Sequence, residues 1–435
     1  RPKIAEGASS PRASWETNLS ARAFAVCLSV WLFTSCIVLL RVPFFYPMLE
    51  EPELRLRDQF FAWRSFIRQN PGTADIMLVT IDDESIRRLG AYPPWPRVVY
   101  AALLDRLKEA GTSVVGLDFI LDCGAAFESG ASSRLTPRLK EFIQAKIDTK
   151  WEPGQPDDDK KLIAALGRSN LVLPAIKTDF LPQGHILKEY FSDAISEISS
   201  TGDVTLEPDF DGIIRRVALV TDLDGQPKTS FALRLAERKW RSSALIMEHK
   251  HIVARGREIP ATMTINFAGP EGTFPNIPFW RMLEELPAKS STGSTNMQLP
   301  SQFKNKVVLI GFQRGGGENT DWTMFGAASS YSLRTPLSTP RSRMSGLELQ
   351  ANILANLLTN RYLNEPSPGE LVIVLLLCSF LFGYLFRIFH GRPWWMLGGV
   401  MTFIAVWVIW SFLSFVYLDY LVPCGLVILG IALPS

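Results

Sequence analysis

The sequence predicts an α/β domain, a three-layer sandwich with a mainly parallel sheet on the extracytoplasmic side, attached to α-helical transmembrane segments. Three observations predict it. Long apolar runs sit at residues 23–45, 369–386, 394–416 and 421–433, with no comparable run between the first and second. Short β-branched runs in that middle stretch alternate with segments of helical periodicity. Lys and Arg gather at one end of each of the first three apolar runs.

A hydrocarbon core about 30 Å thick needs roughly 20 apolar residues to cross as a helix. The expected organisation is therefore a cytoplasmic tail (1–22), a first transmembrane helix (23–45), an extracytoplasmic domain (46–368), and transmembrane helices over 369–386, 394–416 and 417–435. Arg1, Lys3, Arg12 and Arg22 precede the first run, whereas Glu50, Glu51 and Glu53 follow it. Arg387 and Arg392 flank the loop after the second run, and the turn around Asp419 has neither Lys nor Arg. Positive charge marks the cytoplasmic side, so all three contrasts place the large domain outside. The first run is longer than a signal-peptide core and is followed by Phe44, Phe45, Tyr46 and Pro47 rather than a small-residue cleavage site, which favours a retained anchor.

Inside the domain, Ile76–Ile81 reads as a buried strand ending in Asp82 and Asp83. Residues 98–110 have helical spacing and close at Gly111, a C-cap residue. Residues 113–117 and 307–310 are further buried strands, ending at Asp118 and Gly311. Continuous apolar strands joined by helices indicate a parallel sheet covered on both faces. Residues 217–222, 246–253 and 258–267 read as antiparallel strands at its edge, 138–146 as a basic helix, and 346–358 as a helix leading to the second run.

Ligands of open α/β sheets collect at the carboxyl ends of the strands, which points to Asp82 and Asp118. Two carboxylates at neighbouring strand ends would bind a cation or hydrogen-bond a polar ligand, or else cap the following helices or pair with Arg97. Three prolines hold Trp95 and Arg97 in the rigid loop 92–97, which suits a binding edge and equally a plug over the core. Residues 209–215 form an acidic turn lacking the later oxygens of a calcium loop. Gly315, Gly316 and Gly317 lack the Lys and Ser/Thr of a phosphate loop. His249 and His251 have no third ligand nearby, and no nucleophilic triad pattern occurs. The expectation is no enzyme, no metal and no cofactor within this chain. With 45 basic and 43 acidic residues the net charge is +2, which gives no basic surface for nucleic acid. Of five cysteines only Cys123 lies in the soluble stretch. Apart from their edges the apolar runs lack Asp, Glu, Lys and Arg, which argues against transport.

Several of these segments carry a resemblance. Asp58-Gln59-Phe60, Val79 to Asp83 with Ser85, Pro94 to Arg97, Val115 to Asp118, Asp209 to Arg215, Val307 to Gly311, Asp321, Pro336 and Gly346 to Leu354 occur in that order. Together with the topology they resemble CHASE2 sensor proteins, over nearly the whole chain. The resemblance implies detection of an extracytoplasmic small-molecule or protein ligand in a bacterial inner membrane, with Asp82, Trp95, Arg97, Asp118 and Asp321 as candidate ligand-binding residues. It also implies a homodimer and a cytoplasmic cyclase or kinase output beyond Ser435. The alternative is a structural subunit of a larger membrane complex that uses the fold as a scaffold.

Overall fold

The computed structural model describes residues 29, 32, 45–67, 73–89, 95–119, 137–150, 152, 157–175, 200–223, 225–243, 245–247, 251–284, 299–313, 332–339, 343–389 and 392–424. The chain forms two compact units, Gln69–Tyr362 and a smaller one made of Arg1–Arg68 with Leu363–Ser435. In chain order, the elements that matter are α1 (Phe45–Ile67), β1 (Ile76–Ile81), α2 (Asp83–Leu89), α3 (Arg97–Glu109), β2 (Val114–Leu117), α4 (Asp157–Arg168), β3 (Leu171–Ala175) and β4 (Ser200–Asp203). They continue with α5 (Phe231–Trp240), β5 (Asn276–Pro278), α6 (Phe279–Glu284), β6 (Val307–Phe312), α7 (Gly346–Thr359), α8 (Pro368–Phe389) and α9 (Pro393–Tyr417).

The larger unit is built on a six-stranded sheet in the order β5-β1-β6-β2-β3-β4, with all five pairings parallel. Every residue of β1, β2 and β6 is buried, which is why these strands read as unbroken apolar runs. Side chains alternate between the faces. Met77, Val79, Ile81, Val115, Leu117, Val308 and Ile310 join one core with Val99, Leu103 and Leu107 of α3. Residues out of phase with these face α5 and α7: a Cβ on Gly116 would meet Phe231 and Leu235 of α5, and one on Gly311 would meet Leu347 of α7.

Local signals set the helix ends. α3 closes through Gly111 at φ +75°, with Gly111 N–H on the Lys108 carbonyl and Thr112 N–H on the Leu107 carbonyl, a Schellman pair. α7 opens at Ser345, whose hydroxyl accepts from Glu348 N–H, and ends at Asn360, φ +55°. The expected edge strands differ from the reading above. They pair antiparallel, 216–218 with 262–264 and 251–254 with both 245–247 and 257–260, but in small sheets of their own rather than on the main sheet.

In the smaller unit, α9 contains the one described helix long and apolar enough to cross a membrane, Leu397–Tyr417, with only 22% of that window buried. Met401, Val406, Ile409 and Trp410 are among its outward apolar residues. α8 covers the run 369–386 and starts at a capping box in which Ser367 N–H donates to Glu370 Oε2 (2.7 Å) and Glu370 N–H to Ser367 Oγ (3.3 Å). Its Leu375 and Cys378 pack against Val400, Phe403 and Trp407. Of the expected first helix only Ser29, Leu32 and Phe45 are described. Tyr417 ends α9, residues 418–424 are turn and extended, and 425–435 lie outside the described residues.

Packing between β4 and α5 gives a direct test. A Cβ on Gly202 would lie 2.6 Å from Phe231 Cα and 2.9 Å from its backbone nitrogen, and backbone cannot rotate away. Gly202→Ala is expected to destabilise the larger unit by about 2–3 kcal/mol, read as a lower Tm in a detergent-solubilised melt. An unchanged melt would show that this approach is not needed.

Candidate functional site

Strand β6 lies between β1 and β2, so Asp82 and Asp118 are not on neighbouring strands as expected. With strands about 4.8 Å apart they stand two spacings, roughly 10 Å, from each other. They also do different work. Asp82 Oδ1 accepts Ser85 N–H at 2.7 Å and Ser85 Oγ–H at 2.6 Å. Its carboxylate thus caps α2, and Ser85 Oγ in turn accepts Trp280 N–H from α6.

Asp118 is fully buried. Its N–H continues the ladder onto the Ile310 carbonyl at 2.8 Å. Leu117 and Phe119 on either side face the α3 core, which turns Asp118 to the opposite face, against Gly311 and Leu347. Burial pushes its carboxyl well above the ordinary value of 3.8.

Trp95 takes the role of a plug. It is 1% exposed, with its ring 4.9 Å from Phe279 and 6.4 Å from Tyr100. The aromatic row continues from Tyr100 to Phe119 (5.6 Å) and from Phe119 to Phe312 (5.9 Å). Phe279, Phe119 and Phe312 stand at the carboxyl ends of β5, β2 and β6, so these rings form a floor under that edge of the sheet. Arg97, the first residue of α3, is buried beside it. Asp321, residues 92–94 and the three glycines at 315–317 lie outside the described residues, as does His249. Among the described residues no group of His, Cys, Asp or Glu side chains is arranged to hold a metal ion.

The acidic turn is a buried fork. Arg215, 6% exposed at its side chain, reaches Asp209 Oδ2 at 3.0 Å and both oxygens of Asp211 at 3.0 and 2.7 Å. Burial works against an ionised Asp211, yet the Arg215 hydrogen bond and charge hold its carboxyl below the ordinary range. Gly212, φ +77°, closes the turn and leaves Phe210 exposed at its tip.

The sequence reading missed a stripe on α7. Glu348, Asn352 and Asn356 repeat every four residues on one face, and all three are buried. Asn356 Oδ1 accepts Asn266 N–H at 2.7 Å while its Nδ2 donates to the Asn266 carbonyl at 2.9 Å. Asn352 Oδ1 accepts Ala268 N–H at 2.8 Å. Glu348 Oε2 and Oε1 accept Gly272 and Thr273 N–H at 3.0 and 2.9 Å. Burial raises the Glu348 carboxyl despite those donors. The segment 266–274 is thereby stitched to α7 just before it becomes β5, the edge strand. A four-residue polar period inside an apolar helix was the available signal, since a buried amide or carboxylate must find partners.

A family model, the CHASE2 domain, matches residues 31–385. No curated protein and no solved structure matches the chain.

Two outcomes follow from the site. Because the folded Asp118 carboxyl lies above its ordinary value, its protonated form contributes stability at pH below about 4, and that contribution is lost as pH rises through the raised value. Across this window the wild-type Tm is expected to fall more steeply with pH than that of Asp118→Asn; parallel curves would contradict the assignment. Asn356→Ala leaves both backbone groups of Asn266 without their partner and is expected to cost about 2–4 kcal/mol in a denaturant or thermal melt, with Asn356→Asp, which keeps only the acceptor, in between.

Proposed function

The chain belongs to the CHASE2 family, and from that premise we propose that it is an integral-membrane sensor input module. CHASE2 is an extracellular sensory domain family. On this reading the α/β unit, a three-layer sandwich with α3 on one face of the sheet and α5 and α7 on the other, stands outside a bacterial inner membrane. A polar ligand, small molecule or protein, engages the carboxyl edge of the sheet, with Arg97 beside the aromatic floor as the cationic partner and the buried Asp118 on the opposite face as a hydrogen-bonding carboxyl. The module crosses the membrane several times, acts as a homodimer, and passes its state to a cyclase or kinase output.

The observation that carries the reading is the fastening of α7. Its polar stripe grips the segment that feeds β5, and its N-terminus lies against Gly311 at the end of the central strand. Any shift in the strand-end loops is therefore felt by α7, whose C-terminus continues through residues 360–367 into α8. A ligand biases such an element only by binding one of its arrangements more tightly than the other. The outward apolar residues of α9 support a lipid surround.

The reading requires the domain to face outward. Phe210 sits exposed on a turn held by Arg215. In a Cys123→Ser background, Phe210→Cys is expected to react with a membrane-impermeant maleimide on intact cells, above the level of the same chain retaining Phe210. Labelling that requires lysis would sink the sensor reading.

A further inference from the structure

Three separate stretches of chain meet at one glutamate–arginine pair in the smaller unit. Glu53 of α1 is 3% exposed. Its Oε2 accepts the backbone N–H of Cys424 at 2.8 Å, and its Oε1 accepts Arg57 Nε–H, one turn further on, at 3.1 Å. Arg57 then reaches with Nη1 to Glu365 Oε1 at 3.4 Å. Glu365 belongs to the link between α7 and α8, and Cys424 to the segment after α9. The link and that segment are also joined directly, Asn364 N–H to the Asp419 carbonyl and Leu421 N–H to the Asn364 carbonyl, both at 2.9 Å.

The depth of the node follows from α9. Trp407 Nε1–H donates to the Pro423 carbonyl and Ser411 Oγ–H to the Val422 carbonyl, so residues 422 and 423 run back along the C-terminal half of that helix. Phe60 and Phe61 of α1 pack on Phe415, with Phe60 also on Phe412, and the Arg64 guanidinium lies 4.7 Å from the Phe415 ring centre. The ion pairs therefore stand beside the C-terminal end of the apolar helix α9. Chain passes between the two units after Arg68 and after Tyr362; α1 precedes the first passage and the Glu365 link follows the second.

We propose that Glu53, Arg57 and Glu365 form a latch that fixes the spacing between the stretch of chain leading into the larger unit and the stretch leaving it, and that its Arg57–Glu365 arm is the part that opens during relay. The two arms differ in strength. Arg57 is anchored by a carboxylate that is 4% exposed, whereas Glu365 is 35% exposed and its contact is longer. A half-exposed ion pair is worth little and is screened by solvent, while a buried carboxylate left without its cation is costly. Arg57 thus stays with α1 when the link moves. A guanidinium suits the position because its separate nitrogens address two carboxylates at once.

The proposal rests on the sensor reading only for the word relay; the latch itself is tested separately. Hydrogen exchange would be followed by mass spectrometry on the full chain in lipid nanodiscs, over peptides covering 361–370, with a peptide over 307–312 as folding control. Glu365→Ala is expected to speed exchange in the link by about three- to fivefold, and Arg57→Ala by about tenfold or more. The double variant should match Arg57→Ala, because the Arg57–Glu365 contact is already gone. An unaltered link in Glu365→Ala, or effects that multiply in the double variant, would overturn the latch. Should Arg57→Ala fail to fold, Arg57→Lys takes its place, since one ammonium cannot span both carboxylates, and it is expected to loosen the link as Glu365→Ala does. A latch that survives these tests while Phe210→Cys is labelled only after lysis would leave the joint standing and remove the sensor.

Discussion

The larger unit depends on one late strand. β6 pairs with β1 over six residues and with β2 over four, yet it lies almost two hundred residues after β2 in the chain. Without it β1 and β2 have no ladder between them, and the core side chains of both lose their neighbours. Its burial is complete, so the stabilisation it supplies is apolar and non-directional, while its backbone hydrogen bonds fix which strand stands next to which. Pairing at such separation forms late, because loop-closure entropy must be met before the contacts repay it. The long stretch between β2 and β6 therefore folds onto a sheet whose centre is still missing, or waits for it.

That topology also explains the site. Inserting β6 separates Asp82 from Asp118 and gives each a different neighbourhood. Asp82 becomes a helix cap with its Oδ1 accepting two hydrogen bonds. Asp118 is driven into the low-dielectric side of the sheet against Gly311, where an ionised carboxylate is poorly solvated. The aromatic floor is another consequence, since Phe119, Phe279 and Phe312 become neighbours only when β2, β5 and β6 share a sheet.

Directional interactions take over where the apolar ones end. On α7 three polar side chains hold a loop by its backbone, and in the smaller unit the Glu53–Arg57 pair of α1 holds two other stretches of chain. Both arrangements use buried groups whose loss would leave partners unsatisfied, which gives them specific geometry at modest net stability. They lie at the two ends of the path from the sheet edge to the first residues of α8, with the Schellman turn at Asn360 between them.

Much of this was legible in the sequence. The strands at 76–81, 113–117 and 307–310, the helices at 98–110 and 346–358, the Gly111 cap and the parallel α/β class rest on local periodicity and a capping residue, which act within a few positions, and the CHASE2 resemblance rests on the order of short motifs along the chain. β3, β4 and β5 were not found: Ser200-Thr201-Gly202-Asp203 and Asn276-Ile277-Pro278 have no apolar period, and they are strands because a neighbour's backbone offers a ladder. Strand order, the parting of Asp82 from Asp118, the inward turn of Trp95 and the partners of Glu348, Asn356 and Arg57 were decided by tertiary structure alone. Each joins residues tens to hundreds of positions apart, and hydrophobic pattern records how far a side chain is buried but not what it is buried against.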